Sequence, residues 1–156
     1  MILQISPVYY IICLYRFRLT GEEEAQMILR KGLTGTASRT VADTDTALAV
    51  GSGSLPVCAT PVLSAVMEAA AVDAVKGCLP SSATTVGISL TLRHTSPTTV
   101  GHTVTARAEL IETEGRLLTF RITAEDEAGE VGCAEHVRCL IESAPFMEKA
   151  EKKYRK

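Results

Sequence analysis

A hydroxyl, a carboxylate and an imidazole stand at three places in this sequence from which they could act on one bond. Thr60 precedes Pro61 at the head of the apolar stretch "ATPVLSAVMEAA", Glu68 lies eight residues further on, and His94 ends the run "GISLTLRH". Together such groups can run nucleophilic or general-base chemistry, with the imidazole taking a proton from a hydroxyl or a water. Each also has a plain structural reading. Threonine before proline caps a helix, a carboxylate among alanines and valines pairs with an arginine, and a histidine late in a strand satisfies its ring by hydrogen bonding. Spacing alone does not bring the three together.

Glu68 poses the sharper question. If 61–76 is a helix, at about 100° per residue Glu68 shares its face with Pro61, Ser64, Ala65, Ala71, Val72 and Val75, none able to neutralise a carboxylate. Asp73 and Lys76 fall on other sides. Glu68 is therefore expected as a buried charge that must find a partner or shift its pKa upward.

The elements that would position these residues follow from pattern. A strand is expected over 33–41, rich in β-branched residues, followed by the flexible loop "GSGSLP". Thr60 and Pro61 suit the start of a helix over 61–76, and Gly77 its stop. Four further strands are read in "TTVGISLTLRHTS", "TVTARAELIETE", "RLLTFRITAEDE" and "EVGCAEHVRCLIES". Glu114-Gly115 and Ala128-Gly129 punctuate the last three as hairpin turns, which makes those strands antiparallel neighbours. One long helix against a single antiparallel sheet is the simplest α+β solution, with the helix apolar on nearly every side because the sheet curls around it. The tail from about 145, "EKAEKKYRK" included, reads as a charged, solvated end, helical or frayed.

Composition bounds the partners. The 156 residues fit one domain with a real core, and 46% apolar against 22% charged residues is a globular balance. A net charge of -2 and 4% aromatics supply neither the field nor the stacking platforms for nucleic acid. The five cysteines, Cys13, Cys58, Cys78, Cys133 and Cys139, are odd in number and lack CxxC spacing, so free thiols in a reducing cytoplasm are expected. His94, His102 and His136 form no metal-ligand motif, and no metal is expected.

Residues 1–26 differ in texture. "MILQISPVYYIICLYRFRL" is apolar and aromatic, but Arg16 and Arg18 follow the run and Pro7 interrupts it, unlike a secretory signal, and it falls short of the ~20 residues that span a bilayer. The expectation is a start assigned too early, with Gly21 to Glu24 translated from a purine-rich ribosome-binding site ahead of Met27. The domain would then be 27–156.

The segments "ATPVLSAVMEAA", "GISLTLRHTSPTTVGHTVTARAEL" and "EHVRCLIE" together resemble the fluoroacetyl-CoA thioesterase-like family of hotdog-fold proteins. Members carry a threonine before the central helix, a glutamate eight residues on, a histidine in the second strand, a glycine seven residues before it and an arginine in the last strand. Thr60, Glu68, His94, Gly87 and Arg138 stand at those places. The resemblance implies a hotdog fold, a long central helix wrapped by a curled antiparallel sheet of about five strands. It also implies a cytoplasmic homodimer or higher oligomer, away from membranes, that cleaves an acyl-CoA thioester at the subunit interface without a cofactor. Thr60, Glu68 and His94 would be catalytic, the Gly87 N–H would face the oxyanion, and Arg138 would line the substrate pocket. The family's fluoroacetate-resistance member has aromatic residues before its threonine, whereas this chain has "VGSGSLPVC", so the chemistry carries over but the fluoroacetyl specificity does not. A non-catalytic acyl-CoA-binding hotdog module is the alternative. A hotdog hydratase ranks third, since those place histidine and acid in one segment.

Overall fold

The computed structural model describes residues 29–155; the leader expected over 1–26 and Met27 lie outside them. Strand β1 (Thr34–Thr40) is followed by a 3-10 turn (Asp43–Asp45), a one-turn helix α1 (Ala47–Val50) and the long helix α2 (Thr60–Ala74). Strands β2 (Ala83–His94), β3 (Thr103–Glu114), β4 (Leu117–Asp126) and β5 (Gly129–Glu142) complete the sheet, and α3 (Ser143–Lys152) closes the chain. All five strands pair antiparallel in the order β1-β3-β4-β5-β2. This is the expected hotdog architecture. No helix of the described residues is long and apolar enough to cross a membrane.

Alternation carries the sheet. On β3, Val104, Ala106, Ala108 and Leu110 point inward and are buried, as are Leu118, Phe120, Ile122 and Ala124 on β4. Leu63, Met67, Ala70 and Ala71 of α2 meet them, and each large side chain so buried contributes about 1.5–3 kcal/mol. Small residues set the distance. A Cβ on Gly35 of β1 would collide with the backbone of Ala70 and Ala74, so glycine there lets the helix lie directly on the strand. Asp73 Oδ2 accepts from the Thr36 N–H at 3.0 Å and fixes the far end of α2 against β1.

Turn chemistry follows the sequence. Gly77, Gly115 and Gly129 all take positive φ, ending the α2 region and shaping the two hairpins. One expectation, the burial of Glu68, needs correction, and two segments gain detail. The stretch "GSGSLP" is loop as expected, and the residues between β1 and it form the 3-10 turn and α1, where the Thr46 hydroxyl accepts from the Ala49 N–H at 3.2 Å and nucleates a short turn. The charged tail is helical over α3, one of the two forms expected for it, and is tied by the pair Lys152–Glu148. The sheet covers only one side of α2, leaving Pro61, Ala65, Ala69 and Val72 exposed, and Glu68 borders that open face with 42% of its side chain accessible rather than buried.

Sheet edges matter to the site. β2 pairs only with β5 among the described strands, so its outer edge is free alongside the exposed face of α2. Its pairing slips between Gly87 and Ser89, a bulge at Ile88 that re-aims the strand beside Glu68.

Candidate active site

Thr60 is the first helical residue of α2, while Ala59, extended at φ -72° and ψ 140°, occupies the cap without a side-chain bond. Capping is therefore not what Thr60 does. Its Oγ1 lies 3.1 Å from Nδ1 of His94, at the C-terminal end of β2. Burial pushes the His94 imidazole below its ordinary pKa, against a weaker opposing hydrogen bond with the Ser96 backbone. A neutral ring keeps one nitrogen unprotonated, and Nδ1 is placed to accept the hydroxyl proton.

A second group lies further along the helix. Glu68 Oε2 accepts from Arg138 Nη1 at 3.1 Å. Arg138, only 5% exposed, is held in turn by Nε to the Thr85 hydroxyl at 2.9 Å and Nη2 to the Thr85 carbonyl at 2.8 Å. Burial lowers its pKa, and the Glu68 carboxylate opposes that shift. A guanidinium nonetheless stays charged, so Arg138 fixes the position of Glu68.

His136 completes this group. Its Nδ1 is 2.7 Å from the Ser89 carbonyl, which can only accept, so Nδ1 carries the proton and Nε2 accepts from Arg138 Nη1 at 3.0 Å. Burial first, and then the Arg138 charge, lower its pKa. The 3.6 Å approach of His136 Nε2 to Glu68 Oε2 is thus a contact of a neutral ring, not a salt bridge.

Gly87 belongs here because of space. A Cβ on it would fall 2.6 Å from Glu68 Oε2 and 3.0 Å from His136 Cε1, so any side chain would evict the carboxylate.

Beside the Thr60–His94 pair opens a cleft of about 300 Å³, lined also by Ala47, Ser52, Val57, Cys58, Thr95, Ser96 and Pro97. Two carboxylates brace its walls. Asp45 takes a two-pronged bond from Arg39 at 2.8 and 2.6 Å and, through its carbonyl, receives the Ala59 N–H at 2.9 Å. Asp126 receives the buried Thr98 hydroxyl at 2.7 Å, and the Thr98 carbonyl accepts from Cys58 N–H at 2.8 Å. Hydrogen bonding holds both carboxyls below the usual range, to Arg39 for Asp45 and to Thr98 for Asp126. No group of three or more metal-ligating side chains gathers among the described residues.

Within one chain the five expected residues thus form two groups. Thr60 meets His94, and Glu68 meets Gly87 and Arg138, with about 12 Å of helix between Thr60 and Glu68. Sequence reasoning missed His136 and Thr85. Alternation could have found the former, since His136 and Arg138 sit two apart on the inward face of β5 between Ala134 and Leu140.

Comparison with known proteins finds relatives of the same fold. The family described as fluoroacetyl-CoA-specific thioesterase matches residues 41–144. A solved structure of the fluoroacetyl-CoA thioesterase FlK is 31% identical over 81% of this chain and 98% of that one, with a TM-score of 0.75. A mutant of the same enzyme in complex with acetyl-CoA is 30% identical, covering 81% of this chain and 99% of its own, with a TM-score of 0.76. A Thermus thermophilus thioesterase superfamily member, 20% identical over 82% and 97% of the two chains with a TM-score of 0.74, shares the fold. No curated protein matches.

Proposed function

The chain belongs to the fluoroacetyl-CoA-specific thioesterase family of hotdog-fold proteins, and from that premise we propose that it hydrolyses an acyl-CoA thioester to a free acid and CoA at a site shared by two copies of the chain. The observation that carries this reading is the uncapped Thr60 hydroxyl 3.1 Å from a neutral His94. Thr60 Oγ1 attacks the thioester carbonyl carbon as His94 takes its proton. The oxyanion faces the Gly87 N–H of the second copy, where a positioned donor is worth about 3 kcal/mol of barrier. The C–S bond breaks, His94 returns the proton to the departing thiolate, and water activated by Glu68 of that copy releases the acid. Arg138 acts through Glu68, which it anchors at Oε2.

Three features support a shared site. The free edge of β2 can pair with its own copy about a two-fold axis, which runs the strands antiparallel and lays the His94 end of one on the Gly87 end of the other. Pro61, Ala65, Ala69 and Val72 offer apolar surface beside that edge. Closure would also cover Glu68, which a single chain leaves half-exposed.

The test is release of free thiol from a panel of acyl-CoAs by wild type and Glu68→Gln. Turnover that falls about 100-fold in the variant supports the mechanism. Turnover unchanged by it removes Glu68 from the chemistry, and tight acyl-CoA binding without turnover makes the protein a binding module whose Glu68–Arg138 pair is structural.

A further inference from the structure

The cleft beside Thr60 is larger than a two-carbon acyl group needs. At roughly 30 Å³ per non-hydrogen atom, close to the share of one water in the liquid, its 300 Å³ holds about ten such atoms. The carbonyl and its methyl fill a third of that. Four of the lining side chains, those of Ala47, Ser52, Cys58 and Ser96, are small. Gly51, at φ +73°, ends α1 just before Ser52.

The chemistry of the walls is as informative as their size. Ala47, Val57, Cys58 and Pro97 are apolar, and beside Thr60 and His94 the polar lining groups are the uncharged hydroxyls of Ser52, Thr95 and Ser96. Neither lysine nor arginine lines the cleft, so a second carboxylate on the acyl chain would lose water with no cation in return. Arg93, next to His94 in sequence, is not among the residues lining the cleft, and Arg39 is engaged by Asp45.

Resting on the proposed thioesterase chemistry, we infer that this cleft is the acyl pocket and selects uncharged acyl groups of about six to eight carbons over acetyl and over dicarboxylic acyl groups. Ser52 and Ala47 set the length by being small.

The experiment compares kcat/KM for acetyl-, butanoyl-, hexanoyl-, octanoyl-, phenylacetyl- and succinyl-CoA in the full chain and in Ser52→Phe and Ala47→Leu. Each buried methylene raises kcat/KM by up to about four-fold, so hexanoyl-CoA is expected to exceed acetyl-CoA by at least about 30-fold. Succinyl-CoA should fall with acetyl-CoA. Filling the cleft should lower the hexanoyl-to-acetyl ratio at least about ten-fold. Phenylacetyl-CoA reads the width of the pocket: turnover matching hexanoyl-CoA supports a pocket of this volume, and turnover below acetyl-CoA contradicts it. Hydrolysis that is fastest on acetyl-CoA, or equally fast on succinyl-CoA, overturns the inference while leaving the thioesterase intact. A hexanoyl preference untouched by both substitutions removes the pocket from this cleft. Failure to cleave any of the six defeats the thioesterase reading itself.

Discussion

Gly87 of β2 lies under the Glu68 carboxylate so closely that a methyl group on it would come within 2.6 Å of Oε2. The strand and helix are thereby built around the carboxylate, with the Ile88 bulge and the Arg138 anchor on either side. Gly87→Ala should push Glu68 off Arg138. We expect kcat/KM to fall about 100-fold, as misplacement of a reacting group by about 1 Å does, with far-ultraviolet circular dichroism unchanged. Full activity in a folded Gly87→Ala protein would contradict the close approach.

Thr60 separates chemistry from capping. Because its hydroxyl makes no cap bond, Thr60→Val should shift the unfolding free energy by less than about 0.5 kcal/mol, measured by urea denaturation, while turnover falls by two to four orders of magnitude, roughly as for loss of an activated nucleophile. Thr60→Ser should keep much of the activity. A loss of about 1 kcal/mol or more with activity preserved is the signature of a cap.

Arg138 should be costly to remove. Truncating one partner of a fully buried pair costs about 3–5 kcal/mol, but Glu68 is 42% accessible, so about 1–3 kcal/mol is expected for Arg138→Met. Arg138→Lys keeps the charge but not the fork onto Thr85 and should recover only part of it. Thermal denaturation of both variants reads the difference.

Acid should destabilise the fold through two histidines, His136, which is buried, and His94, which is partly so. Burial lowers the pKa of both His94 and His136 in the folded chain, so below about pH 6.5 the unfolded chain binds more protons than the folded one. Their stabilisation is complete above that pH and is lost as pH falls through the lower folded values. Urea midpoints should decline between about pH 6.5 and 5, and His136→Gln should flatten the slope. For the same reason the acid limb of kcat/KM should lie below the ordinary histidine value. A midpoint constant over this range would refute the shifts.

Much of this was legible from the sequence. β3 begins and ends where its alternation does, at Thr103 and Glu114, and Gly115 and Gly129 turn where turn chemistry placed them. The environment of Glu68 was not. A helix whose faces are all alanine and valine gives no sign of which side meets the sheet, so a carboxylate on the open border reads as buried. Thr60-Pro61 looks like a cap because capping is local, whereas the bond that Thr60 makes reaches 34 residues along the chain to His94. That Glu68 and Thr60 form separate groups follows from the helix rise once the helix is granted, but their partners depend on the long-range pairing of β2 with β5 and on the placement of both against α2.

The central claim is that Thr60 and His94 of one copy work with Glu68 of another, and mixing two inactive proteins tests it most directly. Thr60→Val and Glu68→Gln are unfolded together, refolded at equal concentration and assayed for thiol release. Random pairing makes about half the dimers mixed, each with one fully native site of two, so activity should return to about one quarter of wild type. If the three residues act within a single chain, no mixed dimer holds an intact site, and activity that stays at the level of the separate variants would contradict the account.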